Sequence, residues 1–158
     1  MTAISEQSSS KPAGFVGLYK RIIKLPEYLP FSLIQLAARV AVAHVFWQSA
    51  QSKLASWPVT LQLFASEYNL PLIDPSIAAP LATTAEITGS VLIFLGLFSR
   101  LAALMLLGVV SVIQIFVYPE NWAEHLLWAS LLFLVLTRGA GVLSLDYVAE
   151  RTLSASAK

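Results

Sequence analysis

The chain has 158 residues, which is enough for one domain, and its composition is far from that of a soluble protein. Hydrophobic residues make up 57% of it and charged residues 12%, against about 25% in soluble domains, and the mean hydropathy is +0.72. We therefore expect a membrane protein. The absence of cysteine excludes disulfides, thiolate metal sites and cysteine-bound iron–sulfur clusters. A net charge of +1, with the basic residues spread along the chain, excludes a nucleic-acid partner.

Two segments precede the apolar part of the chain. Residues 1–14 are small and polar and lack the apolar core of a secretory signal, so we expect a disordered tail. Residues 15–30 carry Lys20, Arg21 and Lys24 at helical spacing among apolar residues. This pattern predicts an amphipathic helix that lies on an anionic membrane surface. An extra turn leading into the first membrane span is the alternative.

Four later segments are apolar enough to cross a bilayer, which takes about 20 residues of α-helix. They are residues 31–51, 77–98, 101–118 and 122–137. The last segment is short and begins with two ionisable residues, Glu124 and His125. The predicted fold class is therefore all-α, a four-transmembrane-helix bundle over residues 31–147 with an N-terminal interfacial helix. Residues 148–158 are expected to form a cytoplasmic tail.

The basic residues outside the predicted spans indicate which ends of the helices face the cytoplasm. Eight of the ten basic residues precede the first span, lie between the second and third spans, or follow the fourth, whereas Lys53 lies after the first span. Cytoplasmic segments are enriched in Lys and Arg. We therefore expect a multi-pass protein of the bacterial inner membrane with both termini in the cytoplasm. The outer loop, residues 52–76, is expected to carry a short helix over the outer end of the bundle.

Polar side chains inside the predicted spans are the candidate functional residues. A charged residue there costs roughly 2.5–3.5 kcal/mol to insert, so it usually faces the bundle interior and is paired. Counting about 1.5 Å of rise per residue places Glu86 level with His44 and within reach of Arg39. We therefore predict that Glu86 is buried and bonded to one of them. The candidates for an outward-opening ligand or proton pocket are Arg39, His44, Trp47, Gln48, Glu86, Glu124 and His125.

These residues leave several interpretations open. A buried contact between Arg39 and Glu86 would fix the order of the helices and have no further role. A pocket formed by His44, Trp47 and Glu86 would bind a quinone head group or relay protons. A metal ion held by His44, His125 and Glu86 is another alternative, although no HxxxH or HxH spacing supports it. A haem ligated by both histidines is the remaining one.

Several motifs also occur in an order that matches a known family. Arg39 in the first span and Lys53 at its end are followed by AEITGSVLIFLGLFSR, by a compact turn at residues 99–100 and by SLD at residues 144–146. In this order and spacing, roughly residues 32–147 resemble the DoxX family of small four-helix bacterial membrane proteins. The family has no agreed set of catalytic residues, so the resemblance assigns none here.

Two longer segments point to one branch of that family. LFASEYNLPLIDP and QIFVYPENWAEHLLWASLLFLVLTRGAGVLSLD resemble the branch encoded beside multinuclear-iron enzymes that modify metal-binding peptides. The resemblance implies a place near redox and metal homeostasis and no particular reaction. We expect a non-catalytic or accessory membrane component that supports a metal- or oxidative-stress system of the copper-peptide type through an outward-facing polar pocket. Its expected partners are the lipid bilayer, membrane or periplasmic proteins, and further copies of itself. The alternatives are a membrane subunit of a quinone-linked oxidoreductase and an oligomeric exporter of small molecules or metals.

Overall fold

The computed structural model describes residues 14–156, which are mostly α-helical and contain no β-strand. The predicted all-α class is confirmed. The expected disordered tail, residues 1–14, lies outside the described residues except for Gly14. The chain divides into an N-terminal unit that ends at Pro30 and a larger unit that begins at Phe31.

The N-terminal unit contains helix α1, Phe15–Lys24, followed by a 3₁₀ turn over Leu25–Tyr28. The α-helix ends earlier than the expected segment, residues 15–30. Proline at position 26 has no N–H to donate, and its ring disfavours the helical conformation of the preceding residue. At 3.6 residues per turn, Lys20, Arg21 and Lys24 fall on one side of α1 and most of its apolar residues on the other.

The larger unit contains α2 (Phe31–Ala55), α3 (Trp57–Leu63), α4 (Pro75–Leu95), α5 (Ser99–Val112), α6 (Trp122–Arg138) and α7 (Leu145–Ser156). Helices α3 and α5 each continue into a π-helical turn, Phe64–Tyr68 and Ile113–Val117 respectively. Helix α2 packs against α4 and α6, and α5 packs against the same two helices. The four long helices therefore form a closed ring.

The core of this ring is made of apolar side chains from all four helices, among them Val42, Phe46, Leu106 and Leu132. Helices α4 and α5 approach closely at Gly89, where a Cβ would lie 2.6 Å from the side chain of Leu106. Small residues at helix crossings allow such close packing, which is a main source of association between helices in a membrane.

Two helices of the described chain are long and apolar enough to cross a membrane, as judged by length and composition. They are α4, Pro75–Leu95, and α5 with its π-helical turn, Ser99–Val117. Helix α2 carries two cations, Arg39 and Lys53, and α6 has 17 residues. The predicted spans in α2 and α6 therefore stay predictions.

Helix α7 begins where the polypeptide returns to the turn between α4 and α5. Asp146 accepts hydrogen bonds from Phe98 N at 2.7 Å, Ser99 N at 3.0 Å and Ser99 Oγ at 2.5 Å. Its carboxylate thus caps the N-terminus of α5, where unpaired N–H groups carry partial positive charge. Most of the segment expected to be a tail, residues 148–158, belongs to α7.

The long loop after α2 is largely helical, as the sequence predicted. Its helix, α3, packs against α2 and α4, and Thr60 Oγ1 donates a hydrogen bond of 2.7 Å to the carbonyl oxygen of Lys53. Phe64 packs with Ala78 and Ala79 at the start of α4. The loop is therefore attached to the end of the bundle where α2 ends and α4 begins.

Candidate functional site

A cavity of about 530 Å³ lies between α2, α4, α5, α6 and the two π-helical turns. Most of its wall is apolar and includes Phe64, Leu81, Met105, Val109, Val117 and Trp128. Both π-helical turns contribute to the wall and contact each other. Such turns add a residue to a helical turn, which re-aims the following side chains, and they are frequent at functional sites.

A buried ion pair between Lys53 of α2 and Glu86 of α4 lines this cavity. Lys53 Nζ lies 2.9 Å from Glu86 Oε1 and 2.8 Å from Oε2, and it donates to Ser49 Oγ at 2.8 Å. Lys53 is 7% exposed and Glu86 is 1% exposed. An ammonium group has three N–H donors, so these three contacts use all of them. The unused hydrogen-bonding capacity of the pair therefore belongs to the carboxylate.

The prediction that Glu86 is buried is confirmed, but the prediction that it bonds to His44 or Arg39 is wrong. The estimate of depth treated Lys53 as a loop residue beyond the first span. Helix α2 instead continues to Ala55, so Lys53 is still helical. Helical side chains lean toward the N-terminus of their own helix, and the long side chain of Lys53 thereby reaches Glu86.

Arg39 has a structural position away from the cavity. It is 1% exposed, and its Nε and Nη2 donate to the carbonyl oxygens of Ile93 and Phe94 at 2.9 and 2.6 Å. Its Nη1 donates to those of Ala140 and Leu143 at 2.9 and 2.8 Å. The guanidinium thus ties the C-terminus of α4 to the loop that precedes α7, where carbonyl groups have no helical partners.

His44, Trp47 and Gln48 lie on a different side of α2. His44 is exposed and shares a hydrogen bond of 3.2 Å with Gln48. His44 and Trp47 line a separate cleft of about 400 Å³ between α2 and α4. The residues predicted to hold a metal are therefore divided between two cavities. Within residues 14–156, no three His, Asp or Glu residues are grouped closely enough to hold a metal ion.

His125 of α6 is the second buried polar group of the cavity and is 3% exposed. Its Nδ1 lies 2.6 Å from Oε1 of Gln114, and Nε2 of Gln114 donates to the carbonyl oxygen of Pro119 at 2.7 Å. Gln114 lies in the second π-helical turn. The imidazole ring packs against Trp128, with 5.3 Å between ring centroids.

Two tyrosines, Tyr68 and Tyr118, pack edge to face at one end of the cavity, with 5.9 Å between their ring centroids. The Tyr118 hydroxyl donates a hydrogen bond to Glu67, and this bond is the main cause that raises the pKa of Tyr118. Burial raises the pKa of Tyr68. The candidate Glu124 also lines the cavity and is exposed. At this end, formed by residues 64–70 and the start of α6, exposed polar residues line the cavity, and we refer to it as the mouth.

Of the seven candidates, the structure brings Glu86, Glu124 and His125 to the cavity and leaves the other four elsewhere. Lys53 and the two tyrosines were not among the candidates, although they line the same space. The spacing of Lys53 was a usable signal, because it lies 14 residues after Arg39 and 7 after Phe46. Such spacing places all three on the buried face of α2.

The sequence matches the DoxX family over residues 34–119. A Haemophilus influenzae protein, strain Rd KW20, is 33% identical over 133 residues, which cover 77% of this chain and 93% of that protein, whose description is "Uncharacterized protein". No solved structure matches the chain. The family match includes Lys53 and Glu86 but ends before His125.

Proposed function

This chain belongs to the DoxX family, and from that premise we propose that it is an accessory membrane component that binds a lipid-soluble small molecule in the cavity. The observation that supports this function is the composition of the cavity. An apolar wall surrounds a buried ion pair and a buried imidazole. Ligand sites in proteins are typically concave, largely apolar and equipped with a few placed polar groups. A molecule with an apolar body and a polar head fits this description.

The proposed setting is a four-span bundle of the bacterial inner membrane. The closed ring of α2, α4, α5 and α6 supports four spans, and Arg100 and Arg138 lie at the end of the bundle opposite the mouth. Lys53 near the mouth is paired with Glu86, so it does not count as an excess positive charge. The positive-inside tendency then puts the mouth on the periplasmic side and both termini in the cytoplasm.

Gly108 offers a direct test of ligand binding, because a Cβ built there meets no atom within 4 Å although the residue lines the cavity. Gly108 is exposed at the edge of the cavity, so Gly108→Leu should add a side chain there and narrow the opening beside α5. It should leave the helix intact, since Leu is a better helix former than Gly. Mass spectrometry of lipid extracts should detect a molecule that co-purifies with the wild type and is lost from Gly108→Leu. Val91→Phe, in the separate cleft, is the control and should retain it. Identical extracts from all three proteins would contradict the proposed function.

The system served by the bound molecule is proposed to be a response to metal or oxidative stress. The support for this assignment is the resemblance of two long segments to the branch of the family that accompanies metal-binding peptides. A deletion strain should grow more slowly in excess copper or peroxide, and the wild-type gene should restore growth where the Gly108→Leu gene does not. If both genes restore growth, the role in the stress response does not depend on the cavity.

A membrane subunit of a quinone-linked oxidoreductase is the second candidate, and the cavity supports it as well. Quinones combine an apolar tail with a polar head, and Glu86 and His125 are side chains that can exchange protons beside an apolar wall. This candidate requires an electron-donating partner. Quinone reduction by membranes that contain the wild type, with no reduction by Gly108→Leu membranes, would favour it over the accessory role. No feature of residues 14–156 favours an exporter.

A second copy of the chain is the proposed partner for the exposed polar face of α2. His44 and Gln48 are exposed on that helix, and polar side chains in a span are costly against lipid, so they usually face protein. Because the chain has no cysteine, Gln48→Cys can be oxidised in membranes without background. It should give a disulfide-linked dimer, whereas Leu104→Cys, an exposed position on α5, should remain monomeric. Equal cross-linking at both positions would contradict this interface.

A further inference from the structure

We infer that the buried part of the cavity selects ligands whose polar head donates hydrogen bonds, such as phenols and quinols, over heads of the same shape that only accept them. This inference rests on the proposed binding function and adds the chemical class of the ligand. It follows from the direction of two consecutive hydrogen bonds, beginning at a backbone carbonyl, and from the contacts of the buried ion pair.

The first step is the orientation of the Gln114 amide. The carbonyl oxygen of Pro119 can only accept a hydrogen bond, so the atom of Gln114 that lies 2.7 Å from it must be the amide nitrogen Nε2. The amide oxygen Oε1 then faces His125, at 2.6 Å from Nδ1. Flipping the amide would place two acceptors together at Pro119. The backbone therefore determines which end of Gln114 meets the imidazole.

The second step is the tautomer of His125. An amide oxygen only accepts, so Nδ1 must carry the proton, and in a neutral imidazole Nε2 is then a lone-pair acceptor. Within the described residues Nε2 makes no hydrogen bond to protein, and no buried side-chain nitrogen or oxygen lacks a partner. Because His125 lines the cavity and is otherwise buried, Nε2 is open to the cavity.

The third step concerns the ion pair. The three N–H donors of Lys53 are directed to Ser49 and to both oxygens of Glu86. Glu86 has two oxygens with about four lone-pair sites, and Lys53 with the neighbouring Ser49 hydroxyl does not use all of them, so Glu86 can accept a further hydrogen bond from a ligand. The two buried groups with unused capacity, Glu86 and His125, therefore both present acceptors.

The remaining polar groups of the wall lie nearer to solvent. Ser49, Tyr68, Tyr118 and Trp128 are half-buried, and Asn121 and Glu124 are exposed. The Tyr118 hydroxyl donates to Glu67. A ligand head that enters past these residues meets lone pairs at Glu86 and His125. A hydroxyl satisfies such groups, whereas a ketone or ether oxygen leaves them without partners at a cost that corresponds to about a tenfold loss of affinity.

A matched pair of ligands tests the selectivity. para-Octylphenol and its methyl ether share a ring and a tail, but only the phenol donates. Calorimetric titration of the protein in lipid nanodiscs should show the phenol binding about tenfold more tightly than the ether. Gln114→Leu should bring the two affinities toward equality, because Nδ1 loses its acceptor and the ring can adopt the other tautomer. Gln48→Leu removes the amide from the other histidine–glutamine pair and should leave the preference unchanged.

The outcomes separate the selectivity from the function on which it rests. Equal binding of phenol and ether to the wild type would overturn the selectivity and leave the cavity as a binding site. Binding of neither would overturn the proposed function as well. An unchanged preference in Gln114→Leu would show that the tautomer of His125 is not its cause.

The tautomer of His125 can also be measured directly. This measurement needs no ligand and does not require that the Gln114→Leu variant folds. The chain has two histidines, so His44→Ala leaves His125 as the only one. Nitrogen NMR of histidine-labelled His44→Ala at neutral pH should show a protonated Nδ1 and an unprotonated Nε2. A protonated Nε2, in the other tautomer or in the imidazolium ion, would overturn the inference.

Discussion

At the scale of single residues, the Lys53–Glu86 pair gives the most direct test of the site. Lys53→Met should lower the free energy of unfolding by about 3–5 kcal/mol, because it leaves a buried carboxylate without its counter-charge. The double variant Lys53→Met/Glu86→Leu should recover most of that loss, since apolar side chains can replace a buried pair. Unfolding in mixed detergent micelles measures both, with Lys20→Met as the control.

The same variants separate a structural role of the pair from a binding role. The double variant should be stable and yet lose the molecule that co-purifies with the wild type, because the acceptor in the cavity is gone. If Lys53→Met is no less stable than the double variant, the pair does not stabilise the bundle as described.

The partner of Glu86 shows what residue-level reasoning from sequence could and could not achieve. Burial of Glu86 followed from the cost of an exposed carboxylate in a span. The depth of Glu86 in the bilayer did not identify its partner, because the first span was predicted to end at residue 51, whereas α2 continues to Ala55 and includes Lys53. The helical period of 3.6 residues predicts more accurately which residues of α2 lie on its buried face. His44 is five residues after Arg39, about 140° around the helix, and the structure places it away from the buried face.

Tyr118 provides a prediction for the pH dependence. Its hydrogen bond to Glu67 raises the pKa of the phenol in the folded state above its ordinary value of about 10. The folded protein therefore holds this proton more tightly than the unfolded chain does. The resulting stabilisation is complete below about pH 10 and is lost as the pH rises through the folded pKa.

Glu67→Gln should lower the pKa of Tyr118, because the neutral amide no longer opposes the negative phenolate. Ultraviolet titration of tyrosinate measures this pKa as the difference between each protein and its Tyr118→Phe counterpart. Glu120→Gln, a nearby exposed acid, is the control. If Tyr118 ionises together with exposed tyrosines in the wild type, the hydrogen bond to Glu67 does not form in solution.

At the scale of elements, Asp146 connects α7 to the turn between α4 and α5. Asp146→Ala removes three hydrogen bonds at the start of α5 and should lower the free energy of unfolding by about 1–2 kcal/mol. Asp146→Asn should cost less, because an amide oxygen still caps the helix. Glu150→Ala removes an exposed acid from the same helix and should cost little. Equal losses for Asp146→Ala and Glu150→Ala would contradict the role of the cap.

The helices themselves were largely predictable, whereas their ends and π-helical turns were not. Apolar runs marked α4 and α5, and the positions of the four long helices match the predicted segments. The π-helical turn over Ile113–Val117 has no signature in a pattern with a period of 3.6 residues. It nevertheless carries Gln114, which contacts His125. The relation between these two residues therefore could not be read from the sequence.

At the scale of the whole molecule, the proposed orientation rests on the position of the cavity and the distribution of the cations. The mouth is formed by the outer loop and the start of α6, and the opposite end carries Arg100 and Arg138. A periplasmic mouth would admit molecules from the outer leaflet or the periplasm. The proposed orientation therefore implies that the ligand comes from the periplasmic side of the membrane.

Reporter fusions test this orientation. Fusions after Ser99 and after Lys158 should be active only with a cytoplasmic reporter, and a fusion at Glu67 only with a periplasmic one, because cations outside the spans favour the cytoplasmic side. Changing Lys20, Arg21 and Lys24 together to Glu should weaken or invert the orientation, since these residues carry the charge of α1. Lys53→Met/Glu86→Leu is the control and should leave the orientation unchanged, because it removes the ion pair without changing the net charge. A periplasmic C-terminus in the wild type would contradict the orientation, and an unaffected triple variant would contradict its electrostatic cause.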